Sequence, residues 1–573
     1  MGTAAIAQQG AQPETGGSPE FNHAVDEYFE QVYFKYAPTA GTLAGLHQYD
    51  THLEDYSRQT IQQQIFDLHT AEHRFLQIPR PTDLVAAGDY DMVVANIRSQ
   101  LLTLDTMRTW EKNADNYPSG IAGSAFSLME RKFASPDERL RSLIAREKLM
   151  PKVLEEAHHN VVDAPRVYTE IAIQQMPGTI SFFKSDVPKA FAAAKDPALK
   201  KEFAASNAAV VAALQQYQVW LQTDLLPRSH GEFRIGAETF QKKLLYDEMV
   251  DIPLDKLLEI GQADLKKNRD AFDALAKEID PGKTPHQVLE ELMADHPTAT
   301  QVLPSFRRTF AGLIAFIQTK KIVTIPSPVE PILEETPPYM RATTFASMDT
   351  PGPYEDKATE AYFNVTLPES DMTPQAKEEL LQAFNVGTII STSVHEAYPG
   401  HYIQFLWVKQ APSKVRKLLG ASSNSEGWAH YCEQMMLDEG YGQPGVGART
   451  ERESKLLRLG QLQDALLRDA RFVVGIKLHT QNMSIDDAIK FYVTEGYQSH
   501  NTGVMETKRS TGDPTNLYYT LGKLEILKLR ADVQKKEGAA FSLQNFHDEF
   551  LKQGSPPIKI VRRALLGDDS PTM

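Results

Sequence analysis

The chain has 573 residues, 42% of them hydrophobic and 24% charged, the composition of a globular protein with room for a large core. A formal net charge of -15, with no Lys/Arg-rich run to offset it, argues against nucleic acid as a partner. A single cysteine, Cys432, excludes an intrachain disulfide, and no apolar run approaches the roughly 20 residues that span a bilayer.

At the N-terminus, Ala5-Ile6-Ala7 before Gln8 resembles the small-x-small end of a signal peptide, although the apolar stretch that should precede it is missing. A signal-peptide remnant and a plain tail are both open; either way residues 1–20 are expected to be disordered, being rich in Gly, Gln, Ser and Pro. Structure is expected from Phe21. Apolar residues recur at helical spacing up to Phe34, and again over Ile61–Phe75, Asp89–Trp110 and Asp137–Val162. Ser135-Pro136-Asp137-Glu138 reads as a helix start. Further helices are expected over Pro165–Gln175, Pro197–Leu225, Leu254–Ile279 and Phe306–Thr319.

Beyond a proline cluster from Pro326 to Pro338, Tyr339–Ser347 and Glu360–Leu367 are β-branched and aromatic and read as strands. Thr373-Pro374 starts another helix. Helices then follow over Ser413–Leu419, Ser425–Leu437, Thr450–His479, Ser484–Glu495 and Asn516–Lys535, with a last amphipathic stretch ending near Leu551. The expected fold is mainly α, with a small sheet beside the active-site helix and a deep central cleft. The division falls around Glu232–Asp251, giving an N-terminal helical half (21–240) and a site-bearing half (241–573) that share a large interface.

The chemistry concentrates in Thr388–Trp407, TIISTSVHEAYPGHYIQFLW. His395-Glu396 followed by His401 supplies two imidazoles and a carboxylate, the residue types of a zinc hydrolase with its general base. The H-e-x-x-H pattern would place both histidines on one helical face. Here Pro399 stands at that position and the second histidine lies six residues on, about 120° round an ideal helix. A break at Pro399-Gly400 is expected to swing His401 round to share a metal with His395. A third ligand is sought in Ser425–Glu433, where Glu426, His430 and Glu433 share a face. Glu426 is the first choice, with His430 and Glu433 as alternatives. An isolated histidine–glutamate pair is more often structural, but His395, Glu396, His401 and Glu426 together favour a metal. His158-His159 and Cys432 read as structural. His479, near a helix C-terminus, is open to a dipole role, and Tyr519 to simple packing.

These residues resemble the bacterial family known as domain of unknown function 885. The likeness rests on Val394–His401 (VHEAYPGH), on Glu426-Gly427-Trp428-Ala429 with Tyr431, on Arg468-Asp469-Ala470-Arg471 before His479, and on Tyr519-Thr520-Leu521-Gly522. Weaker pieces are Pro38–Thr42, Gly45-Leu46-His47 and Pro337–Arg341. The chain departs from the family pattern at Tyr402, His430, Gly475 and Lys477. The resemblance implies kinship with helical zinc peptidases of the thermolysin-like clan, whose third ligand is a glutamate. It then implies that His395, His401 and Glu426 bind Zn²⁺, that Glu396 activates water, and that His479 and Tyr519 donate to the oxyanion. It also implies an envelope setting, periplasmic or secreted, with the cytosol as the alternative. The expected substrate is a short peptide, whose backbone would pair along Glu360–Leu367. A zinc amidase or esterase acting on a small molecule is one alternative, and a non-catalytic envelope protein that binds peptide or metal is another.

Overall fold

The computed structural model describes residues 17–336, 341, 344–370 and 372–573. Ala5-Ile6-Ala7 and Pro337–Met340 lie outside them. The chain is 70% helical, with one three-stranded and one two-stranded sheet among the described residues, so the mainly α expectation holds.

Polar caps start many of the helices. Ser18 accepts from the backbone N–H of Phe21 and opens Pro19–Tyr28, so residues 19 and 20 belong to the fold rather than to the expected tail. Ser135 and Glu138 form a capping box at the start of Pro136–Glu147. The helix expected over Asp137–Val162 is two helices, Pro136–Glu147 and Met150–Asn160. Pro151 supplies the reason: lacking an N–H and fixed in φ, it suits the first turn of a new helix rather than the middle of an old one. The helices that were not expected include Asn116–Met129, Gly236–Glu248, Pro285–Ala294, His500–Gly512 and Ile558–Leu566.

At the centre runs the helix Glu451–Thr480, 30 residues long. It buries residues all round its circumference, as a helix enclosed by others must. Around it pack Leu254–Ile279, Val386–Glu396, Ile485–Thr494, His500–Gly512 and Tyr518–Glu537.

The three-stranded sheet consists of β1 (Ile332–Glu335), β2 (Ala346–Asp349) and β3 (Tyr362–Val365), in the order β1-β3-β2. β3 pairs with β1 in parallel and with β2 antiparallel. Glu360–Leu367 was expected to offer an open edge, but its strand is the middle one, with both sides hydrogen-bonded. Of the expected strand Tyr339–Ser347, Ala346 and Ser347 fall in β2, while 339–340 and 342–343 lie outside the described residues. Phe363 and Val365 of β3 join Phe306, Phe310, Val394, Tyr398 and Trp428 in the largest hydrophobic cluster, a firm bed beneath the histidine motif.

The segment expected to divide the halves is itself built in. Gly236–Glu248 packs on Leu84–Leu101 and on the central helix. Clusters also cross the division: Val167 and Phe233 pack with Ala470 and Val474, and Phe21 and Val93 with Val415 and Ile560.

Candidate metal centre

Asn385 caps the helix Val386–Glu396, which carries His395 in its last turn. The helix then stops. The N–H groups of Ala397 and Tyr398 both reach Ser393 O, and Gly400 N donates to Val394 O at 2.9 Å. A new helix, His401–Val408, begins at the second histidine. Gly400 is required by space: a Cβ there would stand 1.8 Å from His395 O. The break therefore folds the chain back on itself and brings the two imidazoles to a ring separation of 4.9 Å, nearly perpendicular at 88°. Trp428 Nε1 donates to Pro399 O at 2.9 Å, fastening this loop to the helix Ser422–Asp438.

That helix carries Glu426. Its Oε2 lies 3.4 Å from His395 Nε2 and 3.4 Å from His401 Nε2. The spacing is too long for a strong hydrogen bond, and Glu426 Oε2 is buried with no hydrogen-bond partner. Donors on a tetrahedral zinc with bonds of about 2.0–2.1 Å stand about 3.3 Å apart. The three donor atoms lie within 4.8 Å of one another. Two imidazole nitrogens and one carboxylate oxygen, converging on a common point and otherwise unsatisfied there, fit such an ion.

Electrostatics also favours positive charge at this point. Burial opposes a charged His395, yet Glu426 and Glu433 outweigh it and raise its pKa to about 10. Against the upward push of burial, His401 and His395 hold the Glu426 carboxyl well below its usual range.

Glu433 and His430, the alternative third ligands, stand behind the centre instead. Glu433 Oε1 lies 2.7 Å from His395 Nδ1, and its Oε2 lies 3.2 Å from His430 Nδ1. Arg468 on the central helix reaches Glu433 Oε1 at 3.1 Å. Against the upward push of burial, the Arg468 charge keeps this carboxyl ionised. A carboxylate on the far nitrogen of a ligating imidazole fixes its tautomer and leaves Nε2 free for a metal. Burial lowers His430 to about 4, so it is neutral.

Glu396 ends its helix, half-buried, and its carboxylate hydrogen-bonds to no described residue. It is near enough to contribute to the raised pKa of His395.

Tyr519 enters from the helix Tyr518–Glu537, its ring 6.5 Å from that of His395. A glycine contact makes the approach possible. A Cβ on Gly522 would lie 1.9 Å from Ser423 O, and one on Gly427 would lie 2.6 Å from Gly522 Cα. Arg509 Nη2 donates to Tyr519 Oη at 3.1 Å. Burial, then the Glu426 charge, push the Tyr519 phenol up, so it keeps its proton.

His479 is not brought to this group. It lies eight residues beyond Arg471 on the same helix, about 12 Å further along the axis. Its Nε2 bonds to Ser510 O at 2.8 Å, and its ring packs against Phe233 and Phe240. The oxyanion role expected of it is therefore corrected to a structural one. Cys432 is buried and free, as expected. Two residues beside the centre escaped the sequence reading: Glu506, bound by Arg471 at 2.6 and 2.8 Å, and Arg509. Both lie on the unexpected helix His500–Gly512.

The family model described as "Bacterial protein of unknown function (DUF885)" matches residues 38–565. The chain belongs to this family. No curated protein matches this DUF885 member. Among solved structures it is similar to a presumed lipoprotein of unknown function from Shewanella oneidensis, at 25% identity and a TM-score of 0.77, covering 96% of this chain and 99% of that one. A presumed lipoprotein from Colwellia psychrerythraea has 17% identity and a TM-score of 0.79, with the same coverage of 96% and 99%, and shares the fold. No described helix is long and apolar enough to cross a membrane.

Proposed function

We propose that this DUF885 protein is a zinc-dependent hydrolase that cleaves amide bonds in short peptides. The observation that carries the reading is the equal 3.4 Å approach of His395 Nε2 and His401 Nε2 to one oxygen of Glu426. That is the ligand set and spacing of a catalytic zinc with a fourth position left for water. When bound, zinc supplies a polarised carbonyl and a water whose pKa falls to about 7.

The chain's own residues would do the rest. Glu396, adjacent to the proposed ligand His395 and with a carboxylate that bonds to no described residue, accepts the proton of the attacking water and delivers it to the leaving amine. Tyr519 donates its hydroxyl proton to the oxygen on which charge develops. Because Arg509 already donates to the phenol oxygen, the Tyr519 proton is free to point elsewhere. Glu433 holds His395 in the tautomer that presents Nε2. The edge for an extended peptide is β2 rather than β3. β2 is the outer strand that contacts the His395 helix, and its far side is unpaired among the described residues. The two lipoprotein descriptions support an envelope location.

The test is metal analysis of the purified chain together with Glu396→Gln. The reading expects one zinc per chain, peptide cleavage in the wild type, and loss of cleavage with retained zinc in the variant. Protein without zinc, or undiminished cleavage by Glu396→Gln, would overturn it.

A further inference from the structure

Three arginines gather on Tyr519, at the border of the centre. The guanidinium carbons of Arg468, Arg471 and Arg509 lie 5.9, 4.9 and 5.8 Å from its ring centre. Two of them have carboxylate partners. Arg468 stands 3.1 Å from Glu433 and 3.7 Å from Asp464, and Arg471 grips Glu506 with two hydrogen bonds. Arg509 differs from both. It touches a phenol, pairs with no carboxylate among the described residues, and is exposed to solvent. Glu506, three residues earlier on the same helix, is already taken by Arg471.

A guanidinium beside two others, with no anion of its own, is electrostatically incomplete. Its planar fork matches a carboxylate in a two-bond arrangement. Its position, one phenol away from the proposed metal ligands, sets it where the end of a short substrate would lie when the adjoining carbonyl is at the centre. We infer that Arg509 binds the C-terminal carboxylate of the substrate, so that the protein removes residues from the C-terminal end of short peptides. The inference rests on the hydrolase reading above. In the reaction the terminal C–N bond breaks, the water oxygen joins the acyl carbon, and the water protons end on the new carboxyl and amine groups. The released amino acid carries away the carboxylate that Arg509 held. Arg509 also steadies the Tyr519 hydroxyl, which couples recognition of the chain end to the oxyanion donor.

The test has a kinetic arm and a binding arm, both on the full-length, zinc-replete chain. In the first, kcat/KM is compared for a blocked dipeptide with a free carboxylate and for the same peptide as its C-terminal amide. In the second, calorimetry compares hydrocinnamate with hydrocinnamamide, which contain no bond to cleave between residues. The free acid is expected to be preferred by about ten-fold or more in each arm. Arg509→Gln should abolish the preference, chiefly through KM, and Arg509→Lys should restore part of it. Arg509 is exposed, so an unchanged melting temperature will show that the variants fold. Cleavage of acid and amide alike overturns the carboxylate assignment and leaves the hydrolase reading standing. Absence of all peptide cleavage overturns the hydrolase reading, and the binding arm then decides Arg509 alone. Equal binding of acid and amide, no binding of the acid, or an acid preference that survives Arg509→Gln, would each sink the assignment.

Discussion

Glu433 meets the far nitrogen of His395 at 2.7 Å while its carboxyl is shared with His430 and Arg468. The proposed ligand is thus fixed from behind by a buried charge that is itself compensated. Glu433→Gln keeps the shape and removes the charge. Metal affinity is expected to fall by about 10–100-fold, as read by chelator competition. Stability should fall by about 3 kcal/mol in urea unfolding, because Arg468 loses its closest carboxylate. Unchanged affinity would remove Glu433 from the support of the centre.

Tyr519→Phe removes one hydroxyl and leaves the ring among its three arginines. If Tyr519 serves the oxyanion, kcat should drop about a hundred-fold or more while KM changes little. Steady-state kinetics on a peptide substrate separates this from simple packing, which would alter stability and spare kcat.

Gly522→Ala places a methyl carbon 1.9 Å from Ser423 O, which belongs to the Glu426 helix. The helices must part, at a cost of about 2–3 kcal/mol. Since Glu426 and Tyr519 ride on the separated helices, zinc content should fall with the melting temperature. Normal zinc content in a destabilised variant would show that the centre tolerates the shift.

Away from the site, Glu147 is fully buried between Ser206 and Asn207, and burial raises its pKa from the ordinary 4.5 to about 7. The folded state holds this proton more tightly than the unfolded chain. The resulting stabilisation is complete below pH 4.5 and is lost as pH rises through about 7. The loss amounts to about 3 kcal/mol. Glu147→Gln should flatten this part of the pH–stability curve, measured by denaturant unfolding from pH 4.5 to 8, and an identical slope would refute the assignment.

The residues of the centre were more legible than their surroundings. His395, Glu396 and His401 declare themselves by type, and Pro399-Gly400 foretells the break because each residue has a local backbone consequence. Glu426 could be chosen from its motif, yet Glu433 could only be held as a rival ligand. Which side of His395 it faces depends on how two helices cross, and no local pattern encodes that. The helix His500–Gly512 was missed for a different reason. Its buried face is Gly503, Glu506, Thr507, Ser510 and Thr511, so the apolar period that marks other helices is absent. Arg509 was missed with it. His479 was drawn into the site by resemblance, where the length of the central helix carries it away. The middle position of β3 likewise follows from pairing with strands distant in sequence.

The contact of Gly427 with Gly522 joins two short stretches almost a hundred residues apart in the chain, and neither glycine has room to change alone. The pair should therefore be inherited as a single character. Relatives that retain the histidine motif but have lost one glycine are expected to have lost the other, and with it the geometry that brings a tyrosine to the metal ligands.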